Sequence, residues 1–277
     1  MSYAYLLSEG GHSFSLRNGK NWVIIAKNAG GNNMILYITS SPCIDGADRA
    51  ILNPQNGFLA RLKADLPPCP RCLFIASSPD DHELTCHFGS HMFMAFAEAG
   101  IPFSAYRVLD SENSHEVEDL IADSDLIILA GGHVPTQNRF FNDIQLGELL
   151  EDYEGVVMGI SAGSMNCAER VYAQPELPGE TLDPDYRRWL PGLGLTHVNV
   201  LPHYQKVKDD IIDGQRLFED VTYYDSYGHT FFALPDGSYF YCHDGETLLL
   251  GEAYRLRNGI LELISLDNEI HHLSKIE

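Results

Sequence analysis

Five short apolar runs, separated by segments with helical periodicity, constrain the fold of this chain more than any other feature of its sequence. Each run is continuous in apolar or β-branched residues, as expected of strands that are covered on both faces. Strands that alternate with helices predict an α/β fold built on a largely parallel sheet. The predicted strands are Met34–Thr39, Cys72–Ser77, Ser104–Val108, Leu126–Leu129 and Val156–Ile160.

The segments between these strands carry the spacing of amphipathic helices. In His87–Glu98, Phe88, Met92 and Phe96 fall on one helical face, and Gly100 follows where the helix should end. The other predicted helices are Leu59–Leu66, Val117–Ala122 and Phe140–Leu150.

After about residue 195 the pattern changes to strands separated by Asp-Gly and Asn-Gly pairs. Such pairs are typical of hairpin turns, so this part is expected to be antiparallel, with turns at Asp236-Gly237, Asp244-Gly245 and Asn258-Gly259. The predicted strands are His197–Leu201, Thr230–Leu234, Tyr239–Cys242, Thr247–Leu250, Ala253–Leu256 and Ile260–Ile264.

The N-terminal segment carries a similar signal. A further hairpin is expected in residues 1–33, turning at Asn18-Gly19 between Ser13–Leu16 and Trp22–Ala26. No stretch has the composition of a linker, and we expect residues 1–277 to form a single domain.

Charge and composition exclude several classes of protein. The 277 residues include 18 Lys and Arg against 39 Asp and Glu, a formal net charge of −21 that repels nucleic acids and acidic membranes. No apolar run approaches the roughly 20 residues of a membrane span, and the N-terminus lacks the pattern of a secretory signal. Six cysteines in a chain of this length do not suggest a disulfide framework, so a cytoplasmic location is expected.

The sharpest local motif is a buried strand followed by Gly159-Ile160-Ser161-Ala162-Gly163. A Ser on a tight strand-to-helix turn exposes its hydroxyl above the edge of a sheet, the arrangement of a nucleophile elbow. The amide of Ala162 would then lie at a helix N-terminus, where it can stabilise an oxyanion.

A second tight turn, Gly131-Gly132-His133, follows the strand Leu126–Leu129. Glycines at the carboxyl end of a parallel strand let backbone amides approach a ligand closely. If this strand neighbours the one that carries Ser161, the amide of Gly132 or His133 supplies a second oxyanion donor. A plain β-turn is the alternative interpretation.

A serine nucleophile needs a base and an acid that orients the base. His203 stands at the end of the strand His197–Leu201 and is the best-placed candidate base among twelve histidines. Asp236 follows the strand Thr230–Leu234 and is the candidate acid, although an Asp-Gly turn alone also explains it.

These motifs together resemble the aspartyl dipeptidase (peptidase E) and cyanophycinase family of serine peptidases. The resemblance rests on A-G-G-x-x-x-T-Q, G-I-S-A-G-S-M-N, N-V-L-P-H-Y and A-L-P-D-G-S in this order, and it covers about residues 34–255. It implies a fold like that of class I glutamine amidotransferases, a three-layer α/β/α sandwich with a mostly parallel central sheet and antiparallel C-terminal hairpins.

The resemblance also assigns roles to residues. Ser161 would be the nucleophile, His203 the general base and Asp236 the orienting acid, with oxyanion donors at Gly132 or His133 and at Ala162. Aspartyl dipeptidases read an acidic substrate side chain with an Arg between the His and acid motifs, and Arg216 is the nearest candidate. The implied reaction is cleavage of short peptides by a monomer or homodimer, without metal or cofactor.

A metal site is a weaker possibility in another part of the sequence. Cys69-Pro70-Arg71-Cys72 is a C-x-x-C motif, and His82 with Cys86 and His87 with His91 form two pairs at helical spacing. A second C-x-x-C is missing, Cys72 begins a predicted strand and Pro70 constrains the turn, so a metal site is not the preferred interpretation.

Two further functions remain open at this point. One is an α/β-hydrolase esterase, although those enzymes place the acid before the His, whereas His203 precedes Asp236 and only His271-His272 lies near the C-terminus. The other is a non-catalytic binding protein that retains the fold.

Overall fold

The computed structural model describes residues 33–276 in full, together with the backbone of three short strands that precede them. The chain divides into two compact units, residues 1–32 and residues 33–277. In the first unit the strands lie in the order β1-β2-β3, and β2 pairs antiparallel with β3. Strands β2 and β3 lie where the sequence predicts the arms of a hairpin, while turn residues 19 and 20 lie outside the described residues. The strands are β1 (Tyr5–Leu7), β2 (Ser13–Asn18) and β3 (Asn21–Ala26).

The first half of the second unit alternates strands and helices, as its sequence predicts. Its strands are β4 (Ile35–Thr39), β5 (Arg71–Ile75), β6 (Ala105–Leu109), β7 (Leu126–Leu129) and β8 (Val156–Ile160). Its helices are α1 (Phe58–Asp65), α2 (His82–Glu98), α3 (Val117–Ala122), α4 (Val134–Asp143), α5 (Leu146–Leu150) and α6 (Ala162–Asn166).

The second half consists mainly of strands. They are β9 (Arg170–Tyr172), β10 (Trp189–Pro191), β11 (Val200–Leu201), β12 (Ile211–Ile212), β13 (Gln215–Arg216), β14 (Thr230–Ala233), β15 (Tyr239–His243), β16 (Glu246–Leu250), β17 (Ala253–Arg257), β18 (Ile260–Ser265) and β19 (Ile270–His272). Two short helices, α7 (Tyr204–Val207) and α8 (Tyr223–Asp225), and a π-helical turn over Leu217–Thr222 lie among them.

The central sheet has the strand order β19-β16-β15-β4-β8-β7-β5-β6. Strands β4, β8, β7, β5 and β6 pair in parallel, whereas β15, β16 and β19 extend the sheet antiparallel. This arrangement confirms the predicted fold class. It also brings the carboxyl ends of β4, β8, β7 and β5 side by side along one edge.

Helices cover both faces of this sheet, because the side chains of each strand point alternately to the two faces. In β5, Leu73 and Ile75 join a buried apolar cluster with Phe141 of α4, whereas Phe74 packs on the opposite face in a cluster with Phe96 of α2. These two buried clusters form the core. Among the described residues, no helix combines the length and the apolar character needed to cross a membrane.

A second sheet, in the order β11-β14-β17-β18, carries the segments that precede the candidate His and acid. Strand β11 runs parallel to β14, and Leu201 lies opposite Ala233. The segments after β11 and β14 therefore leave this sheet side by side, which brings His203 and Asp236 together.

Some predicted elements differ from the observed ones. The predicted helix Phe140–Leu150 is two helices, α4 and α5, because Gln145 has a φ of 53° and interrupts the helical hydrogen bonds. Helix α2 begins at His82, a turn earlier than predicted, because Asp81 caps it by accepting a hydrogen bond from the Leu84 amide. Of the strand predicted over His197–Leu201, only Val200–Leu201 (β11) forms.

The expected hairpin at Asp236-Gly237 is also wrong. Strands β14 and β15 flank this pair but belong to different sheets, so the turn connects two sheets. The other two predicted turns are hairpins: Asp244-Gly245 joins β15 to β16 and Asn258-Gly259 joins β17 to β18.

Candidate active site

Ser161 occupies a strained turn between β8 and α6. Its φ of 50° and ψ of −111° lie outside the regions that residues with a side chain normally adopt. The Ser161 amide donates to the carbonyl oxygens of Thr39 and Ser40, at 3.2 and 3.1 Å, which fixes the turn against the end of β4. The side chain is half-buried, and its hydroxyl has no hydrogen-bond partner among the described residues.

The glycines on either side of Ser161 are required by close packing. A Cβ on Gly159 would lie 2.6 Å from the Cα of Ser164, and a Cβ on Gly163 would overlap the backbone carbonyl of Leu129 in β7. The strand and the helix can therefore approach closely enough for a sharp turn only if both positions lack a side chain.

The Gly131-Gly132 turn lies beside this elbow, at the carboxyl end of β7. A Cβ on Gly131 would lie 3.4 Å from the Cβ of Ser161, and a Cβ on Gly132 would collide with the side chain of Ser77. Among residues 33–276, the amides of Gly132, His133 and Ala162 meet no hydrogen-bond acceptor. Amides that are free and close to the serine have the character of oxyanion donors.

The ring of His133 points away from this role and holds the turn to a neighbouring loop. Its Nδ1 lies 2.8 Å from the Thr136 hydroxyl, and its Nε2 lies 2.8 Å from a carboxylate oxygen of Glu180. Glu180 in turn accepts hydrogen bonds from the amides of Glu176 and Leu177. At His133, therefore, only the backbone is available as an oxyanion donor.

His203 and Asp236 form a close pair. The Nδ1 atom of His203 lies 2.7 Å from Oδ1 of Asp236, whose side chain is only 4% exposed, whereas the imidazole is 31% exposed. His203 itself has a φ of 56° and directly precedes α7. A proton on Nδ1 that is shared with the carboxylate leaves Nε2 free to accept one, as a general base requires.

Ser40 connects all three candidate residues, and the sequence analysis did not identify it. Its carbonyl accepts from the Ser161 amide, and its hydroxyl accepts from the His203 amide at 2.7 Å and lies 2.9 Å from Oδ1 of Asp236, to which it donates. Ser40 is completely buried and follows directly on β4. Its place at the carboxyl end of a central strand is the sequence signal that could have identified it.

Lys206 supplies a counter-charge to the buried acid. Its Nζ lies 2.9 Å from Oδ2 of Asp236 and 2.6 Å from Asp45. Burial of Asp236 favours its neutral form, but the His203 hydrogen bond and charge, with Lys206 and Ser40, outweigh that effect and hold the pKa of Asp236 well below its usual range. The acid is therefore ionised throughout the pH range in which a histidine titrates.

Arg216, the candidate for recognising an acidic side chain, lies on β13 and is paired elsewhere. Its guanidinium makes two hydrogen bonds to the carboxylate of Asp220, at 2.6 and 3.0 Å, and its side chain is 59% exposed. A substrate carboxylate would have to compete with Asp220 for this group. The role of Arg216 stays a prediction.

The residues considered for a metal site are engaged in other ways. Cys69 is exposed, whereas Cys72 is buried in β5. His82 binds Asp110 through Nδ1 at 2.6 Å, and its Nε2 lies 3.4 Å from the Cys86 sulfur. Within the part of the chain that the structure describes, no three His, Cys, Asp or Glu side chains are grouped as metal ligands.

His271, the base that an α/β-hydrolase order would require, lies on β19 at the antiparallel end of the central sheet. Its Nε2 atom lies 3.2 Å from the carboxylate of Glu269. Along the sheet, β16, β15 and β4 stand between β19 and β8, the strand that directly precedes Ser161. The geometry therefore favours His203 over His271.

Comparison with known protein families gives a match to Peptidase family S51 over residues 69–250, about two thirds of the chain. The chain belongs to peptidase family S51. It is accordingly a serine peptidase, and the matched residues include Ser161, His203 and Asp236. No curated protein sequence matches.

Two solved structures share the fold of this S51 peptidase. A peptidase from an acI-B1 Actinobacterium is 18% identical, with a TM-score of 0.61, over 86% of this chain and 96% of its own. A putative Peptidase E protein from Listeria monocytogenes EGD-e is 14% identical, with a TM-score of 0.53, over 84% of this chain and 99% of its own. At these identities the likeness shows the fold alone.

Proposed function

We propose that this chain hydrolyses short peptides through an acyl-enzyme formed on Ser161. The observation that carries the proposal is the arrangement around Ser40, which ties the strained Ser161 turn to the His203–Asp236 pair. A nucleophile, a base and an orienting acid are then held by one buried residue.

The reaction would proceed in two steps, formation of the acyl-enzyme and its hydrolysis. The Ser161 oxygen attacks the scissile carbonyl while Nε2 of His203 takes the hydroxyl proton, and the oxyanion is stabilised by the amides of Ala162 and of Gly132 or His133. Collapse breaks the C–N bond, and His203 passes the proton to the leaving amine. Water then attacks the ester with His203 again as base, releasing the acid and restoring the Ser161 hydroxyl.

The role of Asp236 is to keep His203 in the reactive tautomer and to stabilise the imidazolium that forms. A buried carboxylate that stays ionised suits this role, and Lys206 compensates its charge at Oδ2, whereas His203 binds Oδ1. We further propose that the substrates are dipeptides or similarly short peptides and that the protein acts in the cytoplasm as a monomer or homodimer.

Steady-state hydrolysis of a dipeptide and tripeptide panel tests this function. We expect Ser161→Ala and His203→Ala each to lower kcat by about 1,000-fold or more, while the unfolding temperature stays close to that of the wild type. A chelator should leave the wild-type rate unchanged. Full activity of a correctly folded Ser161→Ala variant would contradict the mechanism.

A further inference from the structure

Helix α2 presents two large apolar side chains to solvent beside the candidate active site. Leu84 is 38% exposed and Phe88 is 49% exposed. They are four residues apart and therefore lie one above the other on the same helical face. Neither position is explained by packing of the core, to which the helix contributes Met92, Ala95 and Phe96.

Leu84 and Phe88 form one wall of a small recess that opens to solvent. Its other lining includes Phe74 and Ala130, both buried, together with the hydroxyl-bearing residues Ser77 and Ser78. None of the described residues that line the recess has an ionisable side chain. A neutral, apolar surface of this kind favours an apolar group over a charged one.

The recess is continuous with the Gly131-Gly132 turn. Ser77 lines the recess and also packs directly against Gly132, and Ala130 lines the recess and directly precedes Gly131. Gly131 in turn lies against Ser161. The recess therefore begins one residue away from the candidate oxyanion donors, on the β5 side of Ser161, whereas Ser40 lies on the β4 side.

We propose that Leu84 and Phe88 form a subsite for an apolar side chain of the peptide substrate, such as that of leucine, methionine or phenylalanine. This inference rests on the proposed function. A peptide whose scissile carbonyl oxygen meets the Gly131-Gly132 turn places an adjacent side chain at the recess. The acidic residues Asp81 and Glu83 at the start of α2 further disfavour an acidic side chain there.

Kinetic selectivity tests the subsite. Matched dipeptides would carry leucine, alanine or aspartate in turn at each of the two positions that flank the scissile bond. At one of these positions we expect kcat/KM to fall by about 10-fold or more from leucine to alanine, the discrimination that an apolar pocket supplies. Phe88→Ser and Leu84→Ser should reduce this preference for leucine over alanine at least several-fold.

Met94→Ser is the matched control, because Met94 is 54% exposed on the same helix and does not line the recess. It should keep the wild-type preference. The proposal is overturned if the wild type prefers leucine at neither position, or if Phe88→Ser and Leu84→Ser keep the same preference as Met94→Ser.

A binding measurement separates failure of the subsite from failure of the proposed function. In a Ser161→Ala background, binding of N-acetyl-leucine amide would be followed by ligand-observed NMR, which needs no catalysis. We expect saturable binding that Phe88→Ser weakens several-fold and Met94→Ser leaves unchanged. Absence of such binding, or equal binding by Phe88→Ser and Met94→Ser, counts against the subsite. If the ligand binds as expected but the wild type hydrolyses no peptide, the result counts against the proposed function alone.

Discussion

The hydroxyl of Ser40 is the single group on which the geometry of the candidate triad depends most. It accepts a hydrogen bond from the backbone amide of His203 and donates one to the carboxylate of Asp236. The backbone of His203 has a positive φ, and the hydrogen bond from its amide to this hydroxyl helps to hold that conformation. We therefore regard Ser40 as a positioning residue.

Replacing Ser40 with alanine should slow the reaction without preventing substrate binding. A hydrogen bond to a charged group contributes about 1.5–3 kcal/mol, so we expect kcat to fall by about 10- to 100-fold. Because Ser40 contacts the triad and not the substrate recess, KM should change by less than about twofold. Ser41→Ala is the control, since within residues 33–276 that hydroxyl accepts only from the Cys43 amide. Equal kcat values for the two variants would contradict the positioning role.

The depressed pKa of Asp236 predicts how its contribution to stability varies with pH. A carboxyl whose pKa is lowered by folding stabilises the native state above its unfolded pKa, and this contribution disappears as the pH falls through the folded value. The difference in unfolding free energy between the wild type and Asp236→Asn should therefore be largest above about pH 5 and shrink below about pH 4. Urea unfolding between pH 3 and pH 7 measures it.

The matched control for this pH dependence is Asp209→Asn, at an exposed position near α7. That variant should follow the wild-type pH dependence. A difference between the wild type and Asp236→Asn that stays constant from pH 3 to pH 7 would show that the contacts of Asp236 do not favour its ionised form.

At the scale of elements, the tight packing of β8, α6 and β7 creates the elbow. A Cβ at Gly163 would overlap the Leu129 carbonyl, and a backbone group within a central strand cannot move aside. We expect Gly163→Ala to lower the unfolding free energy by about 2 kcal/mol or more and to reduce activity. Gly131→Ala is the stability control, because its new Cβ would meet its nearest neighbours at 3.4 Å. Chemical denaturation compares the unfolding free energies of the two variants. Equal values would show that close packing does not require glycine at position 163.

An element can be predicted from sequence when the residues that determine it lie within it or directly beside it. The bounds of β7 and β8 are predicted correctly because continuous apolar runs end at glycine-containing turns. The break between α4 and α5 lies at Ile144 and Gln145, which have no strong turn preference, whereas Gly147, the nearest glycine, lies within α5. The Asp236-Gly237 turn has the local sequence of a hairpin, yet its flanking strands pair with distant partners in two sheets, which local residues cannot reveal.

The residues of the candidate site likewise include some that sequence motifs indicate and others that they do not. Ser161, His203 and Asp236 each follow a strand and belong to recognisable motifs, so they could be proposed from sequence. Ser40 and Lys206 could not be connected to them, because the hydrogen bond from Ser40 to Asp236 spans 196 positions of the chain. The recess could not be predicted either, because the sequence places Phe88 on the same helical face as Met92 and Phe96, whereas the structure buries those two side chains and exposes Phe88.

At the scale of the whole molecule, residues 33–277 contain the central sheet, the second sheet and every residue of the candidate site. Buried apolar clusters cover both faces of the central sheet within this unit. We expect a chain that starts at Asn33 to fold cooperatively and to keep its peptidase activity. Calorimetry and peptide hydrolysis of the truncated and full-length proteins test this expectation. An unfolded or inactive truncated chain would instead support the single-domain organisation that the sequence suggests.

Covalent labelling measures whether Ser161 is a nucleophile that His203 activates. The wild type, Ser161→Ala and His203→Ala would be treated with a fluorophosphonate and examined by intact mass, with peptide mapping of any adduct. We predict one adduct per wild-type chain, located on Ser161, and none in either variant at matched times. An adduct on another residue, or unchanged labelling of Ser161→Ala, would show that Ser161 is not the activated nucleophile.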